Sequence, residues 1–230
     1  EALMIDRWSS LRQSSSAMML AFTCEQVESL NAAAREKMQY HGRITNEHDI
    51  AVNVSGKRVV RSFGVGDDIV FLKNARLGEA HAKNGQLASV IGIEKGKDGA
   101  LSIKVKDRDG TIFSFDASQY DAFDHGYALT VHKAQGVNET NVLCLLKGHG
   151  WDRHLSYVGM SRHREDLYTF ADIDTFGDIH GLKRELARTP MSDNVLDYPL
   201  SFAIRRGMDA EQVAKDAATH ASGSKLKDAW

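Results

Sequence analysis

The 230 residues contain no G-x-x-x-x-G-K-[ST] phosphate loop, and no Asp-Glu pair closes an apolar strand where magnesium would be held. These absences exclude a self-sufficient phosphate-loop nucleoside triphosphatase. No run approaches the roughly 18 apolar residues that cross a bilayer as a helix, so no membrane insertion is expected. Nothing near Glu1 has the basic and apolar regions of a secretory leader. Two cysteines make no disulfide framework. Cys24 and Cys144 each sit in an apolar run and read as free, packed thiols of a cytoplasmic protein. Charge of one sign is also missing, since 29 Lys and Arg face 31 Asp and Glu. Any contact with nucleic acid must therefore come from a local patch and not from the chain as a whole.

What is present suits a globular chain long enough to bury a core. It begins Glu1-Ala2-Leu3 without an initiator methionine, which reads as a segment of a longer polypeptide. Residues 17–23 form an apolar strand, and residues 25–40 a helix with Thr23 as its N-cap. Val27, Leu30, Ala34 and Met38 recur on one face of that helix, and Gly42 suits the stop. From 51 to 117 the texture changes to five or six short β-branched runs (52–54, 58–63, 68–72, 87–93, 101–106 and 111–115) separated by turn signals. The stretch from Lys104 to Thr111 reads as a hairpin closed by Asp109-Gly110. So many short strands suggest a small SH3-like barrel.

After Asp121 the α/β pattern returns. A strand at 127–130 leads into a short helix, 141–146 is a buried strand, 152–164 a helix, 167–171 a strand and 175–188 a helix. The expected fold class is α/β. A parallel-sheet domain of residues 1–50 and 118–190 carries the barrel as an insertion at 51–117. Residues 191–230, with Pro190 just before and Pro199 within, form a C-terminal extension.

Two short stretches can carry chemistry. Thr130-Val131-His132-Lys133-Ala134-Gln135-Gly136 lies where a strand gives way to a helix, the place where open α/β sheets put ligands. Thr130 can cap, the N–H groups of Val131, His132 and Lys133 can cradle an anion, His132 and Lys133 add donors, and Gln135 can bridge to a nucleotide or to DNA. Gly136 permits a tight turn, and Glu139 can reach a ribose. A plain helix start with an exposed lysine explains the same residues equally well. Ser161-Arg162 follows Tyr157-Val158 at a helix end. There an arginine can project toward a nucleotide or simply satisfy the helix dipole. Arg164 can do the same, or brace the loop through Glu165.

Both stretches in order, each beside a strand, resemble motifs V and VI of superfamily 1 DNA helicases. The segment is similar to the second RecA-like domain of RecD-like, superfamily 1B enzymes, with their SH3-like insertion ahead of motif V. Gly66-Asp67-Asp68-Ile69-Val70-Phe71-Leu72-Lys73-Asn74 with Lys83-Asn84-Gly85 resembles the opening of that insertion. Within that group the TraA-type conjugative relaxase-helicases are most similar. This rests on Asp124-His125-Gly126-Tyr127-Ala128-Leu129-Thr130, on His154-Leu155-Ser156-Tyr157-Val158-Gly159-Met160-Ser161-Arg162-His163, and more weakly on Asp197-Tyr198 and Phe202-Ala203-Ile204-Arg205-Arg206-Gly207.

The resemblance implies an ATP-dependent helicase serving conjugative transfer. Arg162 would be the catalytic arginine finger. Gln135, Gly136, Glu139 and Arg164 would contact ATP, and Thr130, His132, Lys133 and Ser161 would hold single-stranded DNA. ATP and Mg2+ would be shared with a first RecA-like domain of the same polypeptide, and the conjugation machinery would be a further partner. The 230 residues alone are expected to be inactive. Two other readings compete: a stand-alone nucleic-acid- or protein-binding module, and an α/β domain whose barrel docks a partner. His125, His132, His149, His154 and His163 match no metal-site spacing, so no metal is expected. For Trp8, Trp151 and Trp230, core packing is favoured over base stacking. Lys57, Arg58, Arg61, Lys73, Arg76 and Lys83 can line a DNA groove or form a solvated face.

Overall fold

The structure, a computed structural model, describes residues 1–96 and 99–189. It opens with a helix that the pattern reading had not anticipated, α1 (Ala2–Leu11). Met4, Ile5 and Trp8 share its buried face, and Trp8 Nε1 donates to Ala17 O at 3.0 Å. β1 (Ala17–Ala21) is buried at every position, as a strand covered on both faces must be. α2 (Cys24–Tyr40) starts at a complete capping box. Gln26 N–H donates to Thr23 Oγ1, and Thr23 N–H to Gln26 Oε1, both at 3.2 Å; such a cap contributes about 1 kcal/mol. Leu30, Ala34 and Met38 are buried on the expected face.

The chain then enters an antiparallel unit. β2 (Thr45–Val54) and β3 (Lys57–Val65) form a hairpin whose turn has φ 53° at Ser55 and φ 81° at Gly56. That pair of positive angles matches the twist of the flanking strands. There follow β4 (Asp68–Phe71), β5 (Ala75–Leu77), β6 (Ala80–Ala82), β7 (Leu87–Lys95), β8 (Leu101–Asp107), β9 (Ile112–Asp116) and β10 (Phe123–His125). Five of them form one antiparallel sheet in the order β10-β4-β7-β8-β9. Its core is aromatic, built on Phe63, Phe71, Phe115, Tyr120 and Phe123. The antiparallel strands begin at Thr45 and end at His125, beyond both limits of the 51–117 expected. Thr45-Asn46-Glu47-His48-Asp49 is polar and mostly exposed, so it carries no strand signal by itself.

β11 (Ala128–Thr130), β12 (Glu139–Leu146) and β13 (His163–Ala171) rejoin β1 in a four-stranded parallel sheet ordered β11-β1-β12-β13. Alternate residues feed two cores. Met19, Ala21, Leu143 and Leu145 pack under α1 and α2. Met18, Leu20, Val142 and Cys144 pack against Trp151 and α3 (Arg153–Met160), with α4 (Ile173–Phe176) and α5 (Ile179–Ala187) beside them. Burial pushes the Cys144 thiol up to about 12, so it stays protonated and inert. Trp8 and Trp151 are fully buried and cannot serve as base platforms. The helix expected at 152–164 ends at Met160, because the following residues enter β13. The helix expected at 175–188 breaks at Gly177, where φ is 72°. Trp230, Asp197-Tyr198, the motif near Phe202 and the extension at 191–230 lie outside the described residues.

The two halves meet across a buried ionic seam. Asp67 is fully buried and accepts from Gly64 N–H (2.7 Å), from Arg35 of α2 (Nε 3.2 Å) and from the Tyr127 hydroxyl. Burial, and then the Asp67 charge, push the Tyr127 phenol upward. Asp68 meets Arg12 beyond α1 (3.0 Å) and Arg108 of the β8–β9 turn (3.1 Å). Burial pushes the Asp68 carboxyl up, but Arg108 and Arg12 outweigh it and hold it below the ordinary carboxylate range.

Candidate functional site

The segment 130–136 is not a helix. It is a run of hydrogen-bonded turns, with Ala134 N–H donating to Thr130 O (3.0 Å) and Val137 N–H to Ala134 O (3.1 Å). Thr130 does cap it, its hydroxyl accepting from Lys133 N–H at 3.3 Å. Val131 N–H is spent on Ala21 O at 3.1 Å, so the cradle of three free N–H groups does not form. Gly136 closes the turns at φ 83°, which a side chain adopts only at a cost. Val131 and Ala134 are buried, whereas His132, Lys133, Gln135 and Gly136 face out.

Strand register shows where this segment runs. Thr130 is level with Ala21, at the far end of the sheet. Glu139 opens β12 opposite His163, at the other end. Six residues of strand separate those levels, on the order of 20 Å. At its first end, Thr130 and Lys133 line a groove of about 300 Å³ with Asn31 of α2 and with Lys57, Val59 and Arg61 of the β2–β3 hairpin. A depression of about 330 Å³ shares Asn31, Arg61 and His125 with it, making one trough between α2 and the hairpin. Arg61 crosses that trough to Glu28 (2.6 Å) and Asp124 (3.2 Å). Asn31 also fixes the edge strand β11, donating to Ala128 O (3.3 Å) and accepting from Ala128 N–H (2.8 Å). The sequence reading missed this role, although a lone amide inside the apolar face of α2 was its signal. The Asn84-Gly85 turn of the antiparallel unit comes close enough that a Cβ on Gly85 would lie 3.3 Å from Lys133 O.

At the second end stands Arg162, half-buried between α3 and β13. Its Nε donates to Val158 O at 2.9 Å and its Nη2 to Ser161 Oγ at 2.9 Å. Among the described residues, neither Arg162, Arg164 nor Lys133 has a carboxylate within ion-pair distance. Carbonyls at a helix C-terminus accept a cation readily, but they leave its charge unneutralised. Arg164 is exposed. Glu139 N–H donates to Arg162 O at 3.0 Å, which ties this loop to the end of the 130–139 segment.

Two expected roles need correction. Glu139 is not available to a ribose. It is 4% exposed and accepts from Arg108 Nε (3.0 Å), Thr140 N–H (3.0 Å) and the Ser16 hydroxyl. Ser161 does not line the trough with Thr130 and Lys133. Its hydroxyl donates to Val158 O (3.3 Å) and accepts from Arg162, so it braces the arginine. Of the scattered basic residues, Lys57 and Arg61 come to the trough. Among the described residues no group of three or more His, Cys, Asp or Glu can hold a metal ion.

No family model matches the chain. The conjugal transfer protein TraA of Agrobacterium fabrum is 36% identical over 226 residues, covering 94% of this chain and 20% of that protein. The chain thus spans about one fifth of that relative's length. The crystal structure of Pif1 helicase from Bacteroides with ADP-AlF3 and single-stranded DNA aligns with 74% of this chain and 46% of its own, at TM-score 0.50 and 18% identity. Pif1 helicase from Candida albicans aligns with 74% and 48%, at TM-score 0.50 and 17% identity. At such identities the likeness is one of fold, and that fold is the RecA-like α/β fold.

Proposed function

Because this chain is homologous to one segment of the TraA conjugal-transfer family, we propose that it is the second RecA-like half of an ATP-dependent, 5′-to-3′ DNA helicase used in plasmid transfer. The single observation that carries the reading is Arg162, a half-buried guanidinium with no carboxylate partner among the described residues, on a loop bonded to the segment 130–139. Phosphate oxygens would supply the anion it lacks. Arg162 acts as the arginine finger, neutralising charge that develops on the transferring phosphoryl group. Ser161 holds its fork in place, and Arg164, Gln135 and Gly136 contact the rest of the nucleotide. ATP would bring Mg2+ with it, held by a first RecA-like domain that would supply the phosphate loop these 230 residues lack. No residue of this chain is assigned to the metal.

Thr130, His132 and Lys133 bind single-stranded DNA at the opposite end of the same segment. The trough between α2 and the β2–β3 hairpin is its path, and the antiparallel unit acts as an SH3-like guide. One continuous segment would then touch DNA at one end and lie against the finger loop at the other. This is the arrangement needed to convert domain closure over ATP into movement of a strand. The protein works in the cytoplasm.

The test is single-strand-stimulated ATP hydrolysis by the intact protein, wild type against Arg162→Ala. Turnover should fall by roughly 10³ or more with nucleotide binding retained. Unchanged turnover would reduce Arg162 to a helix-end cation and remove the helicase reading. The isolated 230 residues should not hydrolyse ATP.

A further inference from the structure

Glu139, expected at a ribose, is instead the point where the antiparallel unit reaches the finger loop. Arg108 leaves the β8–β9 turn, whose shape is held by Asp107 accepting from Asp109 N–H (3.0 Å) and Thr111 N–H (2.8 Å). Its guanidinium meets three elements at once. Nε donates to Glu139 Oε2 (3.0 Å), Nη1 to Ser89 Oγ (3.2 Å) and Nη2 to Asp68 Oδ2 (3.1 Å). Only a planar fork satisfies three partners in fixed directions. Without Arg108, the Glu139 carboxylate would be a buried charge left with a hydroxyl and an amide.

The main chain of the same residue completes the path. Glu139 N–H donates to Arg162 O, and its pairing with His163 is the first rung of the β12–β13 ladder. The register shifts between Glu139 and Asn141, so this rung is offset from the regular ladder behind it. Arg108 is thus joined through one side chain to the backbone that carries Arg162.

We propose that Arg108 and Glu139 are positioning residues that relay the state of the antiparallel unit to the Arg162 loop. Single-stranded DNA held between the hairpin and Lys133 then sets where the finger lies. This relay rests on the helicase reading above and adds to it the route by which DNA stimulates hydrolysis. Intermediacy in space does not establish such a route; coupling between the two residues does.

The experiment uses the intact protein, with ATP hydrolysis measured with and without saturating single-stranded oligothymidylate. The variants are Arg108→Lys, which keeps the charge but loses the fork, Glu139→Gln, and the two combined. Ser16→Ala removes one hydroxyl from Glu139 and serves as the mild variant should Glu139→Gln fail to fold. The ratio of stimulated to unstimulated turnover should fall on the order of 10²-fold in each single variant. The fall should appear in kcat, with KM for ATP and affinity for oligothymidylate unchanged. The double variant should be no worse than either single one, because both break one path. Ser16→Ala should give a smaller fall of the same sign. Variants that melt earlier but keep the wild-type ratio, or losses that multiply in the double variant, would overturn the relay. Wild-type protein that oligothymidylate does not stimulate would overturn the helicase reading and the relay with it. Stimulated wild type with equally stimulated variants would overturn the relay alone.

Discussion

The seam between the two halves and the loops that flank the parallel sheet use charge in opposite ways. At the seam, Asp67 meets Arg35, Asp68 meets Arg12 and Arg108, and Glu139 meets Arg108, with distances of 3.0–3.2 Å and carboxylates at most 5% exposed. At the loops, Lys133, Arg162 and Arg164 have no carboxylate partner among the described residues, and each retains access to solvent. A buried charge without a partner costs several kcal/mol, so the seam tolerates no vacancy. An exposed cation costs little to leave unpaired and stays available to an anion from outside. Pairing separates charges that hold the fold from charges free to bind.

That contrast can be tested by breaking each side. The largest effect is expected for Asp67→Asn. It keeps an acceptor for Gly64 N–H but removes the charge facing Arg35, and should cost about 3–5 kcal/mol in denaturant unfolding. A loss below about 1 kcal/mol would mean that Glu47, already 2.6 Å from Arg35, takes over.

Acid should loosen the seam in two stages. Burial lowers the His125 imidazole against the opposing pull of Asp67 and Asp124, and Ser62 O accepts from Nε2 at 3.0 Å. The unfolded ring therefore binds a proton more readily than the folded one. Stability from this group is complete above pH 6.5 and declines below it, by at most about 1.4 kcal/mol per pH unit. Asp68, whose folded value is depressed, holds its contribution until the pH passes below 3.8. His125→Gln should flatten the first stage; a slope that persisted would place its origin elsewhere.

A smaller penalty, about 1–2 kcal/mol, is expected for Gly136→Ala. Nothing lies within 4 Å of the added Cβ, so the cost is that of a positive φ alone, and a thermal melt reads it. Smallest in stability should be Lys133→Ala, within about 0.5 kcal/mol of wild type. Its signature lies in binding: affinity for single strands should drop, and the slope of log K against log salt should lessen by about 1. A stability loss without a change in slope would return Lys133 to a structural role.

Legibility in the sequence followed the range of the interaction. α2 was readable from Thr23 and from Leu30, Ala34 and Met38, all within the reach of helix periodicity. The alternating apolar runs at 87–93 and 101–106 were likewise visible. α1 escaped because Met4, Ile5 and Trp8 are few, and Glu1 makes no side-chain cap bond. The helix expected after Thr130 failed because the chain must return to open β12 beside Arg162, which turns accomplish and a helix would not. Arg162 and Lys133 were legible as cations at element ends. Glu139 and Ser161 were misread because their partners, not their spacing, decide what they do.

By itself the sequence determined the parallel strands, the capped helix and the two short motifs, since each depends on periodicity or on neighbours a few residues apart. Only the tertiary structure decided which charges are spent and which are free. Glu139 finds Arg108 31 residues away and Ser16 123 away, and Asp67 finds Tyr127 60 away. Local pattern carries no information about pairings at such separations. They arise when the antiparallel unit closes on the parallel sheet and burial forces each carboxylate to find a partner.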